Sequence, residues 1–486
     1  MRIYMLNPPF VPRFSRSMRW QEKARGGTIY YPIWLAYATG LLEKEGHKVK
    51  LVDAPAEGLG LKQIIDDVKR FKPELLVIET SFTSLHNDLR VAHEIKKAYD
   101  NAKIVMVGPP TSVLTREILS HNAIDYVAYY EYDWTLKELA KSIEDGARPQ
   151  KILGIAYKDN GIIRANPPRP FSTSKDLDSL PFVSKVYAKH LNIYNYYLSS
   201  ALYPEVQIFA GRGCPFQCTF CAWPQTFMGR TPRLRSTENV IEELKWIKEN
   251  LPYVKEVVFE DDTFGVNRKW LKEFLNKLIK EKLDVTWSCQ VRADLDLETL
   301  KLMSKAGCRL VIVGFESANQ QILNNIKKGI TVEQMKKFAE NVKKQGILLH
   351  ADFIIGLPGE TKETIKQTFR FIKEIKPDIL QVSIATPFPG TEFYKWLEKN
   401  RYLKTKNLNE YLDKHGHQKC IVNYPWLSAE EIEIYVDTLL KRYYLSLSYI
   451  PAFVRQILRK QGFHELLRII RAAKVFLTEY LAHRKA

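Results

Sequence analysis

Three of the six cysteines of this 486-residue chain fall within eight residues, in Gly211-Arg-Gly-Cys214-Pro-Phe-Gln-Cys218-Thr-Phe-Cys221. Thiolates are the usual ligands of iron-sulfur clusters, and a C-x-x-x-C-x-x-C spacing lets one loop wrap three corners of a cubane. Three thiolates cannot fill four iron sites. The open iron could then be chelated by a small molecule with amino and carboxylate donors, as catalytic metal sites keep a position for substrate. Gly211 and Gly213 let the backbone approach without a side-chain clash. A structural zinc or a redox dithiol would use the same residue type, and the cysteines alone leave those readings open.

The remaining candidates are weaker. Cys289 and Cys308 lie in apolar strand or helix contexts and read as small core residues. His415-Gly-His417 with Cys420 falls in a Lys-rich turn, where two histidines at i and i+2 are more often solvated or substrate-contacting than metal-bound, and no metal is assigned there. The cysteine layout is poor for a secreted disulfide framework and fits a reducing compartment.

The cysteine loop must be held by elements of regular structure. From about residue 205, apolar strand candidates at Val206-Ala210, Val257-Phe259, Val285-Cys289, Leu310-Phe315, Ala351-Ile355 and Leu380-Ala385 alternate with charged, helix-like segments. Six βα units of this kind predict a partial or full α/β barrel over 205-390, with its chemistry at the strand carboxyl ends. The cysteine cluster follows the first of those strands directly. Residues 1-150 alternate short apolar runs with amphipathic stretches and predict a doubly wound, flavodoxin-like parallel sheet, whose ligand loops would be Asn7-Phe10, Asp53-Gly58, Thr80-Ser84 and Gly108-Pro110. Residues 151-204, punctuated by Pro167, Pro168, Pro170 and Pro181, read as a connector with a small strand pair. The fold class expected is therefore α/β: a doubly wound domain, a partial (βα)6 barrel and a helical, basic region over 391-486.

Length predicts two or three domains and excludes one small binding module. Lys plus Arg exceed Asp plus Glu by 18, which favours an anionic partner without choosing between nucleic acid, an acidic membrane and an anionic substrate. Residues 441-486 hold ten of those cations against two Glu, interleaved with Ile450, Phe453, Val454, Ile457, Leu458, Leu466, Leu467, Ile469 and Ile470 at helical spacing. Such a tail reads either as a dock on an anionic membrane surface or as a helix pair packed on the barrel with a solvated basic face. The N-terminus has too short an apolar run before Pro8 and Pro9 for a signal peptide, and no stretch approaches the roughly 18 apolar residues of a spanning helix. A cytoplasmic protein, peripherally associated with membrane at most, is expected.

The cysteine spacing on this kind of barrel resembles the radical S-adenosylmethionine (SAM) superfamily throughout 205-390. The resemblance implies a reduced [4Fe-4S] cluster held by Cys214, Cys218 and Cys221, which cleaves SAM to a 5'-deoxyadenosyl radical that takes a hydrogen atom from substrate. It implies that Phe220 lies against the adenine, and that Phe259-Glu-Asp-Asp262 is the acidic motif near the methionine amine, with Glu260 or Asp261 as the contact. These acids could equally cap a helix or solvate a loop. Arg292, Glu316 and Ser317 resemble positions near the ribose and carboxylate, and Ile354-Ile-Gly356-Leu-Pro-Gly359 resembles the glycine motif at the adenine. Thr386-Pro-Phe-Pro-Gly-Thr391 is similar to the sixth-strand ending of the cobalamin-linked branch.

Asn7-Pro-Pro-Phe10 and Tyr31-Pro-Ile-Trp-Leu-Ala-Tyr-Ala-Thr-Gly40 resemble that branch too, which includes radical methylases, the anaerobic cyclase of chlorophyll synthesis and hopanoid-associated enzymes. Cobalamin is thus the third cofactor implied. Asp53-Ala-Pro-Ala-Glu-Gly58 stands where such modules carry D-x-H-x-x-G, and Pro55 replaces the cobalt-ligating histidine. Ser81, Thr83 and Gly108 match loops that would cradle the dimethylbenzimidazole tail, and Asp53, which opens the D-x-H-x-x-G-like run, is a further cofactor-binding candidate. The function implied is methylation of an unactivated carbon: one SAM methylates cobalamin and a second makes the radical. The alternatives are radical rearrangement, cyclisation or head-group modification of a lipid, and modification of RNA. Against RNA, no dedicated nucleic-acid module is found and the excess charge sits among apolar residues. A small-molecule or lipid substrate and an electron donor such as flavodoxin or ferredoxin would be the partners.

Overall fold

The computed structural model describes residues 1-16, 19, 21-475 and 478. Two compact units are formed. The first comprises Met1–Tyr197, Ala222–Gly229 and Asn407–Gln418; the second comprises Leu198–Cys221, Arg230–Lys406 and Lys419–Ala486.

In the first unit, strands β1 (Arg2–Asn7), β2 (Lys48–Asp53), β3 (Leu75–Glu79), β4 (Lys103–Val107) and β5 (Tyr126–Ala128) pair in parallel in the order β2-β1-β3-β4-β5. Their near-continuous apolar runs follow from burial on both faces: every residue of β3 is buried. The order reverses at β1, so the crevice beyond Asn7 and Glu79 is the switch point at which such sheets take ligands. The stretch expected as a connector supplies β6 (Ile155–Asp159) and β7 (Ile162–Ala165), an antiparallel pair that extends this sheet beyond β5.

The second unit is built on six parallel strands: β8 (Glu205–Ile208), β11 (Glu256–Phe259), β12 (Trp287–Val291), β13 (Cys308–Glu316), β14 (Leu348–Ile355) and β15 (Ile379–Ile384), paired in sequence order from β8 to β15. A short antiparallel ribbon, β9 (Gly211–Arg212) with β10 (Arg233–Leu234), frames the cysteine loop. Each barrel helix begins on a side-chain cap. Ser236, Asn267, Asp296, Thr331 and Thr361 all accept a backbone N–H of the first turn. These caps end the strand-to-helix loops at defined residues and so fix the reach of each loop. The open edge at β15 is covered by the helix Ala429–Tyr444, whose Tyr444 hydroxyl accepts from Leu380 N and donates to Leu380 O at 2.8 and 2.9 Å.

The C-terminal helices Ile450–Ile457 and Gly462–Val475 pack against the strand amino ends, with Arg309, Gly346 and Asp378 as contacts. A helix pair on the barrel was one of the two expected readings, but a solvated basic face is only part of what is found. The inward face is polar: Gln456 and Glu465 are fully buried, and Arg468 nearly so. Arg309 donates to Glu256 and Glu465 at 2.8 and 2.6 Å, and Arg468 donates to Glu465 at 2.9 Å. Among the described residues no helix is long and apolar enough to cross a membrane.

Candidate active site

The cysteine loop leaves β8 at its carboxyl end and is shaped by two glycines that no other residue could replace without movement. A Cβ on Gly211 would meet the Leu234 side chain at 2.4 Å, and one on Gly213, whose φ is +88°, would meet Thr231 O at 2.3 Å. Cys218 is buried, Cys214 and Cys221 are half-buried, and none of the three is in a disulfide. The Cys214 thiol lies 3.5 Å from Thr263 Oγ1. Burial, then the Asp262 carboxylate, raises its pKa. The loop is pinned by Thr219, whose N–H donates to Ile326 O and whose carbonyl accepts from Phe393 N, both at 3.0 Å. Phe220 stands half-buried next to Cys221.

At the end of β11 the adjacent acids Glu260 and Asp261 diverge, as strand alternation requires. Glu260 accepts from Gln290 Nε2 at 2.6 Å. Asp261 turns to the backbone and accepts from Ala210 N at 2.9 Å, so it clamps the start of the cysteine loop. Burial pushes the Asp261 carboxyl up to about 7, against the opposing pull of that backbone bond.

The carboxyl end of β13 carries a second charged cluster. Glu316 occupies the left-handed region at φ +66°, where a register shift interrupts pairing with β14. Its Oε1 accepts from Lys328 Nζ at 2.7 Å, with both side chains about nine-tenths buried. Burial raises the Glu316 pKa and Lys328 opposes it; for Lys328, burial lowers the pKa but Glu316 and Cys218 carry it above its ordinary value. Arg292 donates to Lys328 O at 2.6 Å and lays its guanidinium 3.5 Å from the ring centroid of Phe216, inside the cysteine loop. Ser317 Oγ accepts from Asn319 N at 3.2 Å, an arrangement that shapes the loop after β13. On β14, Ile354 is buried, and Gly356 follows at φ +100°, its carbonyl accepting from Tyr424 OH at 2.9 Å.

Lys328 has no motif signal in the sequence: it lies in a Lys-rich stretch and is distinguished only by burial. The barrel interior was missed for a related reason. Phe353 packs on Phe371 of the surrounding helix Lys362–Ile375, so its neighbours His350 and Asp352 face inward. Both His350 ring nitrogens, Asp352 Oδ1, Gln207 Oε1 and Ser288 Oγ are buried without hydrogen-bond partners. His350 Nε2 approaches Asp352 Oδ1 to 3.1 Å, off the hydrogen-bonding direction. Buried polar atoms without partners are rare in proteins, and a row of them lining an interior is what a polar ligand would satisfy. Spacing of two on an apolar strand was the available signal.

In the first unit, Asp53 is fully buried at the end of β2. Its carboxylate accepts from Asn7 Nδ2, Tyr196 OH and Ala56 N at 2.8, 3.0 and 3.3 Å. Burial raises its pKa to about 7, against the Tyr196 bond. Ser81 Oγ pairs with Ser84 Oγ at 2.8 Å, and Thr83 donates to Gln21 O at 2.8 Å. Gly108 has φ +118°, and a Cβ there would meet Thr80 O at 2.2 Å. Asp88, missed in the sequence, organises the loop: it accepts from Arg16 through two bonds at 2.8 and 3.2 Å, and from Thr80 and Ser84. His417, by contrast, is tied to Lys23 O at 2.8 Å, a structural contact.

The donor sets can be tested against the implied cofactors. Among the described residues no three His, Cys, Asp or Glu side chains gather around one point as a single-ion site. A cubane asks for less, since each of its three thiolates binds a different iron, and one glycine-turned loop carrying three unbridged thiols fits it. Glu260 as an acceptor and Arg292 with Lys328 as cations fit an amine and a carboxylate. The hydroxyl- and glycine-lined ends of β3 and β4 fit a nucleotide tail, while Pro55, inside the turn Ala54–Glu57, offers cobalt no ligand.

Comparison with known proteins bears on the family and the fold. The radical SAM superfamily model matches residues 208–372, and the B12 binding domain model matches 23–140. An uncharacterized methyltransferase of Pyrococcus horikoshii is 32% identical over 467 residues, covering 95% of this chain and 96% of its own. The anaerobic magnesium-protoporphyrin IX monomethyl ester cyclase of Rubrivivax gelatinosus is 28% identical over 375 residues, 75% of this chain and 66% of its own. Among solved structures, the radical S-adenosylmethionine methyltransferase TsrM of Kitasatospora setae, with cobalamin and a [4Fe-4S] cluster bound, superposes with a TM-score of 0.71 at 17% identity, covering 98% of this chain and 99% of that one.

Proposed function

The chain belongs to the radical SAM superfamily, in the branch that carries a B12-binding domain, and from that premise we propose that it methylates an unactivated carbon of a small-molecule substrate. The observation that carries the reading is the occurrence, in one chain, of a loop of three unbridged thiols, which would leave one iron of a cubane open, and a B12-binding domain. When bound, the cluster with SAM supplies a hydrogen-abstracting radical and cobalamin supplies a transferable methyl group.

The chain's own residues prepare and confine that chemistry. Gly211, Gly213 and the Asp261 clamp hold Cys214, Cys218 and Cys221 toward the barrel mouth. Glu260, oriented by Gln290, takes the methionine amine. Arg292, over the ring of Phe216, and Lys328, balanced by Glu316, take the methionine carboxylate, while Glu316 and Ser317 bound the ribose. Phe220, Ile354 and Gly356 enclose the adenine. Asp53, Ser81, Thr83 and Gly108 receive the cobalamin tail. His350 and Asp352, whose ring nitrogens and Oδ1 are buried without a hydrogen bond, orient the substrate from the barrel interior. An electron donor such as flavodoxin or ferredoxin, and peripheral contact with an anionic membrane, complete the reading.

The test is metal analysis of protein purified anaerobically with hydroxocobalamin supplied, followed by turnover with methyl-labelled SAM. About one cobalt per four irons, with label appearing in an acceptor, is expected. Iron without cobalt would overturn methyl transfer and leave radical rearrangement in its place.

A further inference from the structure

The C-terminal helices are inverted with respect to solvent. Gln456, Glu465 and Arg468 face the barrel, while the opposite stripes, Ile450, Val454 and Leu458 on one helix and Phe463, Leu466, Leu467 and Ile470 on the next, face out. The preceding loop adds Leu445 and Leu447. Exposure is extreme for residues of this kind: Leu445 is 85% exposed, Leu447 83%, Leu458 79% and Phe463 70%. An apolar stretch of this extent is rare on a protein that meets only water.

The cations around it complete the description. Lys441, Arg442, Lys460 and Lys474 are exposed, and the one carboxylate in 441–475, Glu465, is buried beneath Arg309 and Arg468. The segment 441–475 thus presents apolar and cationic groups to the outside and no exposed acid of its own. A second copy of this chain is a poor occupant, because a two-fold contact would bring cation against cation. Phospholipid matches both features at once, with acyl chains for the leucines and anionic head groups for the lysines.

We propose that the outer face of Ile450–Ile457 and Gly462–Val475, with Leu445 and Leu447, docks on the surface of an anionic lipid bilayer. The proposal deepens the membrane contact in the reading above and is independent of methyl transfer. These helices lie parallel to the surface rather than crossing it, since neither is long enough to span. The docking face is at the strand amino ends, and the cysteine loop is at the carboxyl ends, so docking leaves the mouth of the barrel clear of lipid.

The experiment is flotation of the full-length protein with vesicles of phosphatidylcholine alone and of phosphatidylcholine with phosphatidylglycerol. Binding is expected to the mixed vesicles only and to fall with added salt. Removing two cations in Lys460→Gln/Lys474→Gln should weaken it by about 25-fold, at roughly fivefold per cation. Leu458→Asp/Phe463→Asp should abolish it, with iron content and vesicle-free SAM cleavage unchanged as evidence that the variant folds. Failure of wild type to float, equal binding to neutral vesicles, or insensitivity to Leu458→Asp/Phe463→Asp would overturn the proposal. So would a wild-type dimer that this variant dissociates, since a second copy would then own the face. Flotation that persists in protein lacking cobalt would leave docking standing and remove only methyl transfer.

Discussion

Lys328→Met keeps the side chain's length and removes its charge, leaving the Glu316 carboxylate buried 2.7 Å from where its partner stood. Both side chains are about nine-tenths buried, so solvent does little to soften the loss. Breaking one side of a buried pair costs about 3–5 kcal/mol, or a melting point lower by about 10 °C for a unit of this size. Burial already raises the Glu316 pKa and Lys328 holds it down, so in the variant the pKa climbs further. A carboxyl whose folded pKa is raised gives stability that is fully present at low pH and lost as pH rises through that pKa. The variant should therefore be closer to wild type at pH 5 than at pH 8. Glu316→Gln leaves the complementary fault, a buried ammonium near Cys218, and should cost a similar amount. The double variant Glu316→Gln/Lys328→Met removes both charges and should recover most of the loss, a coupling read by calorimetry of anaerobic protein. Strictly additive losses, or single losses below about 1 kcal/mol, would refute the reasoning that each of these charges is held in the interior by the other.

The cluster loop should be equally sensitive to one methyl group. Gly213→Ala must displace Thr231 O or the cysteine loop itself, and iron per chain after anaerobic reconstitution should fall well below that of wild type. Cys218→Ala should lose all reductive SAM cleavage, measured as 5'-deoxyadenosine released. In the first unit, Arg16→Met leaves Asp88 without its charged partner, with both side chains fully buried in wild type, and should cost about 3 kcal/mol in the stability of that unit by denaturant titration. Glu360 is fully buried, and burial raises its pKa from 4.5 to about 7. Stability present below pH 4.5 is lost as pH rises to 7, by about 3 kcal/mol at most. Glu360→Gln should flatten that slope, as followed by thermal melts between pH 4.5 and 8.

Both sheets were legible in the sequence because parallel strands buried on both faces read as short apolar runs between charged helices, as Leu75–Glu79 and Leu61–Phe71 do. The cysteine loop was legible from spacing. What spacing could not do was tell Glu260 from Asp261. Neighbouring residues at a strand end point to opposite sides, and the backbone bend at Ala210 decides which of the two becomes a clamp. Lys328 was invisible for a different reason: a lysine followed by glycine in a Lys-rich run looks solvated, and only the fold of 326–329 carries it under Glu316.

The tail shows most clearly where pattern reading stops. Helical periodicity correctly marks Ile450–Ile457 and Gly462–Val475 as amphipathic, and the ordinary inference turns the apolar stripe inward. Here the surface to be covered decides otherwise. The amino ends of the barrel strands present Arg309, the backbone of Gly346 and the carboxylate of Asp378, groups that would be costly to bury against leucine. Glu465, Gln456, Arg455 and Arg459 answer them with hydrogen bonds, and each helix must then present its remaining, apolar stripe to the outside. The exposed leucines are thus the consequence of a satisfied polar interface beneath them. A basic amphipathic sequence placed over a charged barrel end makes a face that water does not suit and an anionic bilayer does.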